Sequence, residues 1–356
     1  MAIFELLQIA LRRRTALSSP LTEREWGNLY EVMKKQALLG VSFAAIERLP
    51  SEQRPGRTLL LRWGIAANNI KNENQAQKCK ISTIIHDFQR AGFRGLVLKG
   101  QGIASYYQVD ELDLYRTPGD VDLWLDGDRE QVVAYARSRK PDCAVVYHHV
   151  EFPRVEGLEI ELHVTPSWMN NYFTNRTLQR YIAQQRSLQF MEHQTTLAIP
   201  QPSLAFNRVY ILIHIYRHLF HTGIGLRQML DYYYVLRQGF TEIERAETMK
   251  VFASLGMVRF VKATMWVLSH VFGLEAQYML TEPDEQEGRF LLSEIMLAGN
   301  FGQYDERLVH DMADSDLSWG LRKVKRNLRF IYRYPSEVIW SPLFKAWHYC
   351  WRKKFA

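Results

Sequence analysis

GLVLKGQGIASYYQ at residues 95–108 and RTPGDVDLWL at residues 116–125 are the two parts of the stretch that decides the fold. The apolar run of the first part stops at Lys99, which predicts a strand that ends in a glycine turn, with a helix starting directly after it. Gly100 and Gly102 allow the backbone to turn sharply and to approach a ligand closely, and free N–H groups at a helix start can bind an anion. The first part therefore predicts a phosphate-binding turn.

Asp120 and Asp122 alternate with apolar residues in the second part, DVDLWL. This period of two predicts a strand from which both carboxylates project on the same face. Two adjacent carboxylates repel each other, so the arrangement favours a cation between them. Mg²⁺ typically takes one or two carboxylates and completes its shell with water and phosphate oxygens. The pair therefore predicts a Mg²⁺ site, although single pairs of this kind also occur on strands that only face solvent.

A third acid lies in another alternating segment, LEIELHV at residues 158–164. Its period of two predicts a strand that places Glu159, Glu161 and His163 on one face. A glycine turn followed by three carboxylates combines a binding turn for phosphates with ligands for a metal ion.

Gly100-Gln101, Asp120-Val121-Asp122 and Glu161, each beside an apolar strand segment, resemble the polymerase-beta-type nucleotidyltransferase superfamily. More narrowly, LKG, RTPGDVDLWL and IELHV are similar to the bacterial uncharacterised nucleotidyltransferase group. The resemblance covers about residues 90–165 and extends more weakly, through helical sequence, to about residue 237. The superfamily turn usually has Gly or Ser after its first glycine, where this chain has Gln101.

The resemblance implies an α+β fold in which a small mixed β-sheet core is flanked by N-terminal and C-terminal helical regions. It implies a cytoplasmic enzyme that moves a nucleoside monophosphate from an NTP to an acceptor hydroxyl and releases pyrophosphate. Asp120, Asp122 and Glu161 are implied as the catalytic residues and as ligands of two Mg²⁺ ions. The acceptor is a small molecule, a glycan-related molecule or a protein, and nucleic acid is less expected because the core lacks a basic stripe.

Further residues are implied as contacts of the nucleotide. Positive charge near the phosphates would offset the charge that develops on pyrophosphate. The contacts of the core are Lys99, Gly100, Gln101 and Arg116. The run HIYRHLFHTGIGLRQMLDYYYVL resembles the helical region that follows the core in the same group, and on that resemblance His214, His218, Arg227 and Asp231 line the opposite side of the cleft. A zinc site at these histidines is an alternative, but packed, hydrogen-bonded histidines are expected because HExxH and nearby cysteines are missing.

Apolar periodicity divides the chain into three predicted regions. Residues 1–90 form an N-terminal helical region, residues 91–200 the nucleotidyltransferase core, and residues 201–356 a C-terminal helical region with a basic aromatic tail. Within the core, residues 129–138 predict a helix and residues 143–152 a strand. The loop around Trp168 either packs against the core or offers aromatic rings to a base.

The tail carries the basic excess of the chain. Residues 318–356 hold ten Lys or Arg and one acid, Glu337, while residues 281–317 hold ten acids and two arginines. Ten aromatic residues, including Trp319 and Trp340, are interleaved with the basic ones. Such a pattern suits an anionic membrane surface or nucleic acid, but the two blocks can also neutralise each other. We expect the tail to pack on its own protein, with weak or no membrane-surface contact.

Composition narrows the classes of protein. The chain has 356 residues, of which 47% are hydrophobic and 23% charged, and this balance predicts a folded protein. It contains no run of apolar residues long enough for a transmembrane segment. The three cysteines are far apart and odd in number, which predicts reduced, buried thiols in the cytoplasm. Two other functions stay open: a catalytically degenerate scaffold with the same fold, and a membrane-surface assembly protein that acts through the tail.

Overall fold

The computed structural model describes residues 1–192, 199–308 and 316–354. Four helices precede the sheet: α1 (Ala2–Ala10), α2 (Glu23–Lys35), α3 (Leu39–Arg48) and α4 (Arg57–Arg90). Helix α2 begins with a capping box, in which the Thr22 hydroxyl accepts from the Glu25 N–H and the Glu25 carboxylate accepts from the Thr22 N–H. Helix α4 runs without a break and brings the chain to the sheet.

Four strands form one mixed sheet: β1 (Gly95–Val97), β2 (Val121–Leu125), β3 (His149–Val155) and β4 (Leu158–His163). Their order is β1-β2-β4-β3, with β2 and β4 parallel and the two outer pairs antiparallel. The short helix α5 (Gln101–Ala104) and a 3₁₀ segment (Ser105–Asp110) lie between β1 and β2, and α6 (Arg129–Arg139) lies between β2 and β3. The predicted α+β class, a small mixed sheet flanked by helices, is confirmed.

The two glycines after β1 have different roles. Gly100 has a φ of +57°, a conformation that side chains with a β-carbon rarely adopt. Gly102 is needed for close packing, since a β-carbon there would lie 2.1 Å from the carbonyl oxygen of Val97. The turn therefore folds helix α5 back onto the strand that precedes it.

The alternation along β2 divides its side chains between two apolar cores. Val121 and Leu123 face the smaller core, with α6 and the end of α4, while Trp124 faces the larger core that includes most of the other helices. Asp122 therefore lies on the same face as Trp124. In β4, Ile160 and Leu162 face the smaller core, which leaves the intervening residues on the face of Asp122.

Six α-helices follow the sheet and precede the tail in the described part of the chain. They are α7 (Tyr172–Glu192), α8 (Leu204–His221), α9 (Leu226–Arg237), α10 (Glu242–Ser254), α11 (Val258–Phe272) and α12 (Glu285–Ala298). Residues 222–225 separate α8 from α9, as the glycines of the sequence predict. No helix in the described ranges is long and apolar enough to cross a membrane.

The tail forms two helices, α13 (Asp316–Leu328) and α14 (Pro335–Arg352). Phe330, Tyr334 and Val338 are buried in the larger core, and tail arginines pair with acids of the block that precedes them. These pairs are Arg326 with Asp305, Arg329 with Glu294 and Arg333 with Glu287. The prediction of an ordered tail packed on its own protein is confirmed, while the side chain of Trp319 lies outside the described residues.

Some details differ from the sequence-based expectations. The strand predicted at residues 143–152 begins only at His149, because the Val146 N–H donates to the His149 carbonyl and turns the chain back. Helix α7 occupies much of a region whose pattern was mixed. All three cysteines are free, but only Cys143 is buried, since Cys79 and Cys350 lie on exposed helix faces. The boundaries of the three regions remain a prediction.

Candidate active site

Three carboxylates meet at the ends of the two central strands. The parallel register pairs Asp122 directly with Glu161, and Asp120 precedes β2 by one residue. Lys99, at the end of the β1 segment, reaches both aspartates, with its Nζ 3.1 Å from Asp120 Oδ1 and 2.9 Å from Asp122 Oδ2. The strand pairing therefore brings together the three acids that the sequence singled out, and it adds an ammonium group between two of them.

The charges of these groups change each other's protonation. The neighbouring Asp122 charge and burial raise the pKa of Asp120, although Lys99 opposes this. Burial disfavours the Lys99 ammonium, but the two aspartates outweigh it and raise the pKa of Lys99. Burial also works against ionised Asp122, yet Lys99 and His163 lower its pKa. Asp120 is therefore the carboxylate whose ionised form is disfavoured by the charge of its neighbour Asp122.

His163 lies between the other two acids. Its Nε2 is 2.8 Å from Asp122 Oδ1 and 3.4 Å from Glu161 Oε2. Burial opposes the imidazolium, but these two carboxylates prevail and raise the pKa of His163 to about 9. His149 approaches Glu161 from β3, with Nδ1 2.9 Å from Oε2, and hydrogen bonds to both histidines lower the pKa of Glu161 despite its burial.

The donor set fits a hard divalent cation. Asp120, Asp122 and Glu161 supply three carboxylates around the ammonium of Lys99, so the oxygen-rich side of the site has an excess of negative charge. Among the described residues, one cluster whose ligand atoms all lie within 4.8 Å of one another consists of Asp122, Glu161 and His163. Asp120 is outside that cluster and is connected to it through Lys99.

A small cleft lies beside Lys99 and Asp120. It is lined by Gly100, Arg116, His214 and Arg227, and Phe301 covers it. The centre of the Phe301 ring lies 5.8 Å from the Lys99 ammonium and 5.2 Å from the Arg227 guanidinium. The cavity measures about 20 Å³, which is close to the space of one water molecule. Six of the predicted contacts line this cleft, namely Lys99, Gly100, Arg116, His214, Arg227 and Asp231, whereas Gln101 and His218 are not among its lining residues.

The two arginines of this cleft are bound differently. Arg116 donates from Nε and Nη2 to the two carboxylate oxygens of Asp231, at 2.7 and 2.9 Å, and this pairing raises its pKa in spite of burial. Arg227 donates to the Thr117 carbonyl at 2.9 Å, and its Nε has no hydrogen-bond partner among the described residues. Burial lowers the pKa of Arg227 to about 10, with Arg116 adding to the effect. Arg227 therefore has donor capacity left for an anion, whereas Arg116 is largely engaged.

Gln101 lies away from the carboxylates. Its amide nitrogen donates to Asn74 Oδ1 at 2.6 Å and to Gln77 Oε1 at 2.9 Å, both on α4. Its role as a phosphate contact stays a prediction, and in this structure its amide joins the turn to α4.

His214 is buried in α8 and His218 is half-buried, and only His218 has the hydrogen bonds that were expected. The rings of His214 and His218 are 4.4 Å apart, and burial lowers the pKa of each well below its ordinary value. His218 has Arg217 and Thr222 as partners, whereas neither ring nitrogen of His214 has one in the described ranges. Neither histidine belongs to a cluster of three potential metal ligands there.

Several residues at the site were not identified from the sequence. Arg217 stacks on Trp168 at 3.7 Å, and Trp168 packs on His148 at 3.9 Å, so the loop before α7 is a packed loop. His148 and His149 lie next to Glu161. The period of β4 already placed His163 beside Glu161. The adjacent pair His148-His149 could not be assigned to the site from the sequence, because the position of its side chains depends on where β3 begins.

Comparison with known proteins gives one family. The sequence model of a family described as uncharacterised nucleotidyltransferase matches residues 22–273, which include the whole sheet and helices α2–α11. Neither the curated proteins nor the solved structures contain a significant match to the chain.

Proposed function

Because the chain belongs to the family of uncharacterised nucleotidyltransferases, we propose that it is a Mg²⁺-dependent enzyme that transfers a nucleoside monophosphate from an NTP to an acceptor hydroxyl. The observation that carries the proposal is the direct pairing of Asp122 with Glu161 across parallel strands, with Asp120 joined to Asp122 through Lys99. Family membership supports nucleotidyl transfer in general, and the donor, the metal and the acceptor are the parts that we propose.

The chain's residues have separate roles in this reaction. Lys99 and Arg227 bind phosphate oxygens of the NTP, since both are buried cations beside Asp120 and Arg227 has an unused donor. Arg116 and Asp231 hold that side of the cleft rigid through their paired hydrogen bonds. Glu161, fixed by its two histidines, orients the acceptor hydroxyl. The acceptor hydroxyl releases its proton to water as its oxygen bonds to the α-phosphorus. The bond between that phosphorus and the α–β bridging oxygen breaks, and pyrophosphate leaves with the bonding electron pair.

Asp120, Asp122 and Glu161 would hold Mg²⁺, which supplies charge stabilisation for the attacking and leaving oxygens. Lys99 lies between the two aspartates and offsets part of their charge. We expect Lys99 to turn from the aspartates toward the triphosphate when substrate binds, because an anion then competes for its ammonium group.

Nucleotide binding requires the cleft to widen. A cavity of about 20 Å³ is far smaller than the roughly 300 Å³ at the lower end of small-molecule sites. The ring of Phe301 also packs 5.0 Å from His218, and Phe301 has a φ of +50° between glycines with positive φ. Displacement of this ring opens the cleft, so we propose that the segment around Phe301 moves when the NTP binds.

The test is incubation of the full chain with each labelled NTP, Mg²⁺ and a cell extract, followed by identification of what becomes labelled. Asp120→Asn is the catalytic control and Glu159→Gln the matched one, since Glu159 lies two residues from Glu161 but is exposed and paired with Arg154. We expect labelling and pyrophosphate release with the wild type and with Glu159→Gln, and none with Asp120→Asn.

Two other results would replace the proposal. NTP binding without any labelled product would identify a nucleotide-binding scaffold. Labelling that persists in Asp120→Asn and Asp122→Asn would show that these carboxylates do not hold the catalytic metal.

A further inference from the structure

We propose that His148, His149 and Glu161 form a second binding site, which shares Glu161 with the proposed Mg²⁺ site, for a borderline divalent transition metal, of which Zn²⁺ is the representative. Each residue offers one ligand atom, and these atoms all lie within 4.8 Å of one another. This proposal concerns a second metal and therefore goes beyond nucleotidyl transfer. A metal bound by two imidazoles can be detected without any NTP.

The sheet brings the three ligands together from two strands. His149 is the first residue of β3 and pairs with His163 in β4, two positions beyond Glu161. His148 immediately precedes β3, and its ring centre lies 4.2 Å from that of His149. Because His148 lies outside the regular strand, the usual alternation of side chains does not separate the two rings. The turn that shortens β3 is therefore what makes a site with two histidines possible.

The distance between His149 and Glu161 suits a shared metal. Zinc is tetrahedral in most protein sites, and bonds of about 2.0–2.2 Å then separate neighbouring ligand atoms by about 3.3–3.6 Å. His149 Nδ1 and Glu161 Oε2 are 2.9 Å apart, so they need to separate by only about 0.4–0.7 Å to share a metal ion.

His148 has ligand capacity that its protein neighbours do not use. The side chain is more than nine-tenths buried, and its Nδ1 has no hydrogen-bond partner among the described residues. Buried polar atoms in folded proteins almost always have a partner, so we expect this nitrogen to bind a ligand. Trp168 packs against the ring at 3.9 Å and fixes its orientation.

The ligand types distinguish this site from the proposed Mg²⁺ site. Mg²⁺ prefers oxygen ligands, whereas two imidazoles and one carboxylate suit Zn²⁺, Co²⁺ or Fe²⁺ and leave positions open. Glu161 is shared, and its position links the transition metal to the other two carboxylates.

Metal binding is measured on the full chain after removal of bound metal with a chelator and dialysis. Co²⁺ is the probe, because its visible absorption reports the number and type of ligands, and elemental analysis then gives the Zn²⁺ content after exchange. We expect about one tightly bound ion per chain, retained in excess Mg²⁺. X-ray absorption of the Zn²⁺ form should show two imidazoles, a result that needs no variant.

His148→Gln and His149→Gln should each weaken Co²⁺ binding by at least about a hundredfold, since each removes one of three protein ligands. His86→Gln is the matched control, because His86 is exposed on α4 and belongs to no metal-ligand cluster of the described residues. Circular dichroism establishes that the variants fold. Asp120→Asn should bind Co²⁺ like the wild type, because Asp120 is outside the cluster.

The outcomes separate this site from the proposed reaction. Tight Co²⁺ binding that requires His148 and His149 supports the site even if no transferase activity is found. No bound metal, or metal with only one imidazole, overturns it even if the enzyme is active, and the second result points to the cluster with His163 instead. Loss of the metal in His218→Ala but not in His149→Gln would also overturn the assignment.

Discussion

The carboxylate site and the contact between the tail and α12 both bury opposite charges, but the acids in them are perturbed for different reasons. At the tail contact, each of Glu287, Glu294 and Asp305 has an arginine partner, and burial is the main cause that raises the pKa of Glu294. At the site, the main cause that raises the pKa of Asp120 is the charge of Asp122. Repulsion between acids favours the binding of a cation, whereas acids that each have arginine partners form a structural contact.

The tail contact should matter for stability and not for chemistry. A chain that ends before Asp316 loses the buried side chains of Phe330, Tyr334 and Val338. Each large apolar side chain contributes about 1.5–3 kcal/mol, so we expect the free energy of unfolding in urea to fall by about 4.5–9 kcal/mol. A truncated chain that melts like the full one would contradict the structural role of the tail.

The carboxylate site should matter for the chemistry and not for stability. Asp120→Asn removes a proposed metal ligand and relieves repulsion, so we expect transfer to fall by about a thousandfold, or about 4 kcal/mol of barrier, while the unfolding free energy stays unchanged or rises. The rate of pyrophosphate release and urea unfolding measure the two effects. Glu159→Gln should change neither, since Glu159 is an exposed partner of Arg154.

Asp122→Asn tests whether Asp122 and Asp120 differ in their contribution to the stability of the fold. Asp122 is the partner of both Lys99 and His163, which are almost fully buried, so its loss leaves two cations without their main counter-charge. We expect transfer to be lost and the unfolding free energy to fall by about 3 kcal/mol, as when a buried ion pair is broken. Equal stability of Asp120→Asn and Asp122→Asn would remove the distinction drawn between them.

Glu337 gives a second contact of the tail, the one with the loop before α7, a pH dependence. The Glu337 carboxylate accepts from the backbone N–H groups of Asn170 at 2.8 Å and Asn171 at 3.4 Å, but burial raises its pKa from 4.5 to about 7. The folded chain holds this proton more tightly than the unfolded chain. The stability contribution is therefore complete below pH 4.5, falls as the pH rises, and is lost above about pH 7.

The measurement compares wild type with Glu337→Gln, which keeps the size of the side chain and cannot ionise. Relative to this variant, we expect the wild type to lose about 2–4 kcal/mol of unfolding free energy between pH 4.5 and pH 8. Parallel stability curves for the two proteins would show that Glu337 does not titrate in this range.

The smallest effect concerns membranes. Because Arg326, Arg329 and Arg333 already pair with acids of the chain, we expect weak binding to anionic vesicles at physiological salt. Co-sedimentation with vesicles of phosphatidylserine and phosphatidylcholine measures it, with vesicles of phosphatidylcholine alone as the control. Strong, salt-sensitive binding by the full chain would show that the tail acts as a membrane anchor.

Local patterns determined much of this protein. The glycine turn after β1, the alternation of Asp120-Val121-Asp122 and that of Glu161 and His163 each depend on a few neighbouring residues, so the sequence predicted strands β1, β2 and β4 and a shared face for Glu161 and His163. The helices and the separation of α8 from α9 also follow from local periodicity and from glycines. Amphipathic tail sequence with many aromatic residues was likewise enough to predict an ordered tail.

Tertiary structure decided which groups meet. Lys99 lies 21 residues from Asp120, and whether its ammonium turns toward phosphate or toward the aspartates depends on the antiparallel pairing of β1 with β2. Gln101 binds α4 instead of facing the carboxylates, and Arg116 meets Asp231 across 115 residues. The meeting of His148 and His149 with Glu161 depends on where β3 begins and on its register with β4. Such contacts depend on strand register and helix packing, which short-range patterns do not encode.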